Sequence, residues 1–135
     1  MTDQELIDRA SAARARAYAP YSSFTVGAAL VAEGEVFDGA NVENASFGLS
    51  VCAERTAVLH AVLEGARAIE AIAIFSTISP PAAPCGMCLQ TLTEFAPDPA
   101  QVRVLLANPQ GEVIHGTLAD FLPHAFRPED LAKAR

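Results

Sequence analysis

Positive charge is scarce in this sequence. Nine basic residues face sixteen acidic ones, for a net charge of -7, and eight of the nine are arginines scattered from Arg9 to Arg135 without a cluster. Such a surface repels nucleic acid and anionic membrane, so neither is an expected partner. An uninterrupted apolar run is also lacking. Ala71 to Thr93 carries no charge and is long enough to span a bilayer, but Pro80, Pro81, Pro84 and Gly86 break it, which excludes a transmembrane helix. The start, Met-Thr-Asp-Gln-Glu-Leu, has neither the positive charge nor the apolar stretch of a signal peptide, and a cytoplasmic protein is expected. Thiols are kept reduced there. The three cysteines, an odd number, therefore read as metal ligands, nucleophiles or core residues before disulfides. Internal repeats and low-complexity segments are absent.

Apolar residues are plentiful. Even with 27 alanines set aside, the larger ones exceed what a disordered chain carries, and 135 residues leave room for a single domain spanning 1–135. Thr2 with Glu5 predicts a capping box, and Leu6, Ala10, Ala13 and Ala17 recur at helical spacing until Ala19-Pro20. Val26–Ala32 and Val36–Ala40 flank Glu33-Gly34-Glu35 and predict a hairpin. Cys52–Glu64 has helical composition and closes at Gly65, and Ile69–Ser76 reads as a buried strand. A third helix is expected from Pro84-Cys85 to about Phe95, with the proline in its first turn. Val102–Ala107 and Glu112–Gly116 flank the turn sequence Asn108-Pro109-Gln110-Gly111, and short helical pieces at Leu118–Leu122 and Pro128–Ala134 follow. The order α β β α β α β β α implies an α/β fold in which helices cover both faces of one mixed sheet.

Cys85 and Cys88 form a Pro-Cys-Gly-Met-Cys knuckle whose sulfurs, three residues apart at a helix start, can both reach one zinc at about 2.3 Å. Thioredoxin-like enzymes carry a similar pair on a different topology. Cys52-Ala53-Glu54, at the start of the other central helix, separates the two readings by adding a third sulfur and a carboxylate. With no fourth Cys or suitably spaced His, a tetrahedral zinc keeps one position open, as a catalytic site does. Zinc lowers the pKa of bound water from 15.7 to roughly 7, and Glu54 is the candidate to take and return the protons. Three thiolates leave the metal electron-rich; helix N-termini and Arg55, beside Glu54, offset this.

These motifs have the shape of the zinc nucleobase-deaminase signature in its three-cysteine form. Together with Ala19-Pro20-Tyr21-Ser22, Phe24-Thr25-Val26-Gly27-Ala28-Ala29, Asn41-Val42-Glu43-Asn44-Ala45, Cys52-Ala53-Glu54-Arg55-Thr56-Ala57 and Leu122-Pro123-His124-Ala125-Phe126, the chain resembles the small homotetrameric cytidine deaminases over nearly its whole length. The resemblance implies a three-layer α-β-α fold with one five-stranded mixed sheet. It also implies one Zn²⁺ per chain on Cys52, Cys85 and Cys88, with Glu54 as proton shuttle. Asn41 and Glu43 then hold the ribose 3′-hydroxyl, Phe24 packs beside the pyrimidine, and the Ala53 N–H meets the base carbonyl. Ala45, Phe47 and Phe126 reach a neighbouring subunit's site, and the alanine-rich faces of the second and third helices are expected to pack between subunits. Two positions depart from the family pattern: Phe47 stands where tyrosine is common, and Leu89 where arginine is common.

The expected function is hydrolytic deamination of cytidine and deoxycytidine to uridine and deoxyuridine, with release of ammonia, in pyrimidine salvage. The alternatives are a deaminase of a nucleoside-like antibiotic such as blasticidin S, which the Asn41 and Glu43 pair disfavours, and a non-catalytic zinc-stapled domain, which an open coordination position disfavours. His60, His115 and His124 read as structural.

Overall fold

The computed structural model describes residues 1–135. Helix α1 (Asp3–Arg14) starts at Thr2, whose hydroxyl accepts the Glu5 N–H at 3.1 Å, so half of the expected capping box forms. It ends three residues before Ala17. The chain is drawn away there because Tyr18 donates its N–H to the Asn41 carbonyl at 2.9 Å and accepts from the Glu43 N–H at 2.8 Å. Strands β1 (Gly27–Ala32) and β2 (Glu35–Ala40) form the expected hairpin, but on a tighter turn: Glu33 and Gly34 both take positive φ, at 51° and 82°.

Helix α2 (Ala53–Leu63) precedes β3 (Ile69–Phe75), and helix α3 (Gly86–Glu94) precedes β4 (Arg103–Ala107) and β5 (Val113–Thr117). Cys52 and Cys85 are the N-caps of α2 and α3. Pro84 thus lies before the cap, outside the first helical turn where the sequence had suggested it. The short helices α4 (Leu118–Phe121) and α5 (Pro128–Lys133) close the chain.

The five strands form one sheet in the order β2-β1-β3-β4-β5. Only β3 and β4 run parallel, joined by a crossover that includes α3; the other neighbours are antiparallel. Strand β3 divides its side chains by the two-residue period: Ala71, Ala73 and Phe75 pack with Leu6, Ile7 and Ala10 of α1, while Ile72 and Ile74 join Ala57, Val58 and Ala61 of α2 and Leu89 and Leu92 of α3. The result is the expected three layers. No helix is long and apolar enough to cross a membrane.

Two strand glycines bring the helices close. A Cβ on Gly27 would stand 2.0 Å from the Ala10 carbonyl oxygen, and one on Gly39 would stand 2.4 Å from both the Ala53 carbonyl oxygen and the Ala57 nitrogen. The alanines of α2 serve the same close approach inside the chain: Ala53, Ala57 and Ala61 are buried against the sheet, and α3 contains no alanine. This corrects the expectation that alanine faces are left over for packing between subunits. Outward, α2 instead shows Leu59 and Leu63.

Candidate metal centre and adjoining cavity

Both central helices begin side by side with cysteine at the cap. Neither Cys52 nor Cys85 uses its sulfur to cap its helix, so each stays available for another partner. Cys88 follows in the first turn of α3 and is fully buried. The three sulfurs lie within 4.8 Å of one another, and the Cys85 and Cys88 sulfurs are 3.4 Å apart. Sulfurs at 2.3 Å from one tetrahedral zinc stand about 3.8 Å apart, so the spacing suits that ion. All three thiols are free, and their softness selects zinc over hard cations. No other His, Cys, Asp or Glu completes the cluster.

Thiolate character is favoured at one of these sulfurs. The Cys52 thiol is lowered to about 5, first by the hydrogen bond from Cys88 and then by Arg55, against the opposing effect of burial. Cys88 is pushed up by that same pairing with Cys52 and by burial, so it holds the proton that the two sulfurs share. Arg55 sends Nη2 to the Ser50 carbonyl at 3.1 Å and toward the Cys52 sulfur at 3.9 Å. Its Nε is buried without a protein partner. A guanidinium placed here draws off the electron density that three thiolates place on a metal.

Glu54, second residue of α2, is only 5% exposed. Burial is the main cause that raises its pKa, and the nearby Cys52 charge adds to it. A buried carboxyl with a raised pKa, lining a cavity beside a sulfur cluster, is a candidate acid–base group. Glu54 lines a cavity of about 230 Å³ with Phe24, Val26, Asn41, Cys52, Ala53, Ile74, Ala82, Ala83 and Cys85. Two cysteines and the carboxylate join a wall that is otherwise mostly apolar, the make-up of a small-molecule pocket.

Six of the expected residues therefore meet in one cavity: Phe24, Asn41, Cys52, Ala53, Glu54 and Cys85. Asn41 accepts the Val26 N–H at 2.8 Å and donates to the Phe24 carbonyl at 2.7 Å, which fixes the segment bearing the Phe24 ring and leaves one N–H and one lone pair free. Glu43 lines a second cleft with Tyr21, Ser22, Phe47 and Ser50. Its carboxylate accepts the N–H groups of Tyr21 and Ser22 at 2.9 and 3.1 Å and the Ser22 hydroxyl, and these bonds hold its pKa below the usual carboxylate value. Both side chains are half-buried, and each is anchored by hydrogen bonds to backbone.

Ala45 is exposed and lines neither cleft. Phe47 is exposed, its ring meeting Tyr21 edge-on at 5.9 Å. Phe126 is 59% exposed and sits against α3, where Gln90 donates to its carbonyl at 2.6 Å. Leu89, where the family pattern puts a charge, is buried in the core. Sequence reasoning missed Val26, Ile74, Ala82 and Ala83. Ile74 had a signal, its place at the carboxyl end of a central strand, where open α/β sheets bind ligands.

The model of the cytidine and deoxycytidylate deaminase zinc-binding region matches residues 1–104. A cytidine deaminase of Halalkalibacterium halodurans is 48% identical over 132 residues, covering 97% of this chain and 98% of that protein. The crystal structure of cytidine deaminase from Burkholderia pseudomallei superposes with a TM-score of 0.89 at 50% identity, covering 93% of this chain and all of that one (100%). That from Mycobacterium tuberculosis gives 0.79 at 36% identity, covering 93% and 98%. With two cysteine-capped helices converging on an open three-sulfur cluster, and with these matches over most of its length, the chain belongs to the zinc-binding cytidine and deoxycytidylate deaminase family.

Proposed function

We propose that residues 1–135 act as one cytidine deaminase domain, converting cytidine or deoxycytidine and water to uridine or deoxyuridine and ammonia, as a cytoplasmic salvage enzyme. The observation that carries this reading is the buried carboxyl of Glu54 lining one cavity with the cysteines of a three-sulfur cluster that no fourth Cys, His, Asp or Glu joins. Cys52, Cys85 and Cys88 would hold the zinc. When bound there, with one position open, the ion acts as a Lewis acid that makes water a nucleophile at neutral pH.

Glu54 then does the proton work: it takes a proton from the attacking water and delivers it to ring N3, then takes the second proton from the new C4 hydroxyl and passes it to the amine, so that the C4–N bond breaks, ammonia leaves and the C4 carbonyl forms. The Ala53 N–H, first of its helix and without an intrahelical acceptor, is a donor for the base carbonyl. Phe24 covers the ring edge, and the free N–H of Asn41 and the remaining acceptor capacity of Glu43 suit the ribose 3′-hydroxyl. The exposure of three apolar side chains supports a shared site: Ala45, Phe47 and Phe126 would complete a neighbour's site in a homotetramer and exclude water.

The test is ammonia release from cytidine, deoxycytidine and blasticidin S by zinc-loaded protein. Turnover of the two nucleosides is expected. Turnover of blasticidin S alone assigns the site to the antibiotic, and turnover of none leaves the zinc a structural staple.

A further inference from the structure

The wall that Ala82 and Ala83 give the cavity belongs to the connection 76–85 between β3 and α3. This stretch contains three prolines and no helix or strand, so its position depends on what ties it down. At its start, the Ser76 N–H donates to the Ala107 carbonyl at 3.2 Å and the Ser76 hydroxyl accepts the Ala82 N–H at 3.3 Å. Its tip is held from elsewhere, by the turn between β4 and β5. Asn108, 3% exposed, donates from Nδ2 to the Ile78 carbonyl at 3.0 Å and to the Glu112 carboxylate at 2.8 Å. The same carboxylate accepts the Ser79 hydroxyl.

Two further bonds belong to the turn alone. The Glu112 N–H donates to Asn108 Oδ1 at 3.0 Å, and the Gly111 N–H to the Asn108 carbonyl at 3.3 Å. The turn therefore closes without Asn108 Nδ2 or the Glu112 carboxylate, and both of these reach out of the hairpin to the connection. A buried amide that gives one donor to another loop's carbonyl and the other to the carboxylate that accepts from that same loop is a brace. Hydrogen bonds from Ser79 and Asn108 keep the Glu112 carboxyl below its usual pKa, in the charged form that accepts best.

We propose that Asn108 and Glu112 are positioning residues: by holding Ile78 and Ser79 they set the place of Ala82 and Ala83 across the cavity from Phe24 and Glu54, and thereby how tightly the pocket holds a pyrimidine. This rests on the reading of that cavity as the nucleoside pocket. Neither residue touches substrate.

The variants separate brace from turn. Asn108→Asp keeps the Oδ1 acceptor that the turn needs and removes the donor that the brace needs. Glu112→Ala removes the brace carboxylate at an exposed position, and Glu112→Gln keeps an oxygen for both partners. Zinc-loaded full-length protein is assayed for cytidine deamination and for amide hydrogen exchange in 76–85. Loss of one to two such bonds predicts about a tenfold rise in KM for Asn108→Asp and Glu112→Ala. Turnover should change by less than about threefold, zinc should stay at one per chain, and exchange should be faster in 76–85. Glu112→Gln should stay near wild type in all four. Unchanged exchange in Glu112→Ala overturns the brace, and faster exchange with an unchanged KM overturns its role in binding. A wild type without turnover refutes the deaminase reading instead, and the exchange result then decides the brace by itself.

Discussion

Gly39→Ala tests how the fold places the site. The added Cβ would stand 2.4 Å from the Ala53 carbonyl oxygen and the Ala57 nitrogen and 2.8 Å from the Ala57 Cα, all backbone atoms of α2. No side-chain rotation relieves such contacts, so α2 must move outward by about 1 Å to restore ordinary separations. Overpacking of this kind costs about 1–3 kcal/mol, and a rigid backbone obstacle places this case at the upper end. With an unfolding entropy of about 2.1 cal/mol/K per residue, a chain of 135 residues loses about 3.5 °C per kcal/mol, so Tm should fall by about 10 °C. Because Cys52, Ala53 and Glu54 ride on the start of that helix, the shift also moves a candidate zinc ligand and the proposed proton carrier, and a misplacement of about 1 Å can cost roughly 10²-fold in rate. Gly34→Ala is the control. It meets nothing within 4 Å but has φ +82°, so it should lower Tm modestly and leave kcat/KM intact. Calorimetry and ammonia release on the two proteins decide the matter; a Gly39→Ala protein within about 2 °C of wild type and fully active would refute the account of how α2 is seated.

Cys88→Ala should bind no zinc by elemental analysis, and chelation of the native protein should mimic it; an ion held at a thousandfold its Kd contributes about 4 kcal/mol, so both should lower Tm clearly. Phe126→Ala should raise KM about three- to tenfold with zinc unchanged, as expected for loss of one aromatic contact, and sedimentation should show that dilution to monomers abolishes activity without unfolding. The Glu43 carboxylate has a lowered pKa, so its grip on Tyr21 and Ser22 is complete above the ordinary carboxylate value and lost as pH falls through the lowered one. Amide exchange at Tyr21 and Ser22, corrected for its intrinsic pH dependence, should lose protection only in that acid range, and Glu43→Ala should lose it at neutral pH.

Periodic elements were readable from the sequence because local chemistry dominates them. The Thr2 cap, the break at Gly65 and the alternation along Ile69–Phe75 each follow from a side chain's own preferences. Helix α1 ends early for a non-local reason, the Tyr18 pairing with the 41–43 segment, which no window of neighbours encodes. The candidate metal site stood out because cysteines at two helix starts, one of them followed two residues later by a glutamate, are a rare combination, whereas Ala82, Ala83 and Ile74 are ordinary apolar residues that become a wall only once three segments converge. The alanines of α2 misled for a related reason: small residues mark close approach, and sequence alone does not say whether the approaching surface is the chain's own sheet or another subunit.

The central claim is that Glu54 moves the protons at a zinc held by three cysteines. Glu54→Gln keeps shape and hydrogen-bonding reach but carries no transferable proton at neutral pH, so it isolates that role. Zinc content, Tm and cytidine turnover should be measured together on Glu54→Gln and wild type. The account predicts one zinc per chain and an unchanged fold in both, with turnover in the variant down by at least about 10²- to 10⁴-fold. A zinc-replete Glu54→Gln protein with near-normal turnover would contradict it.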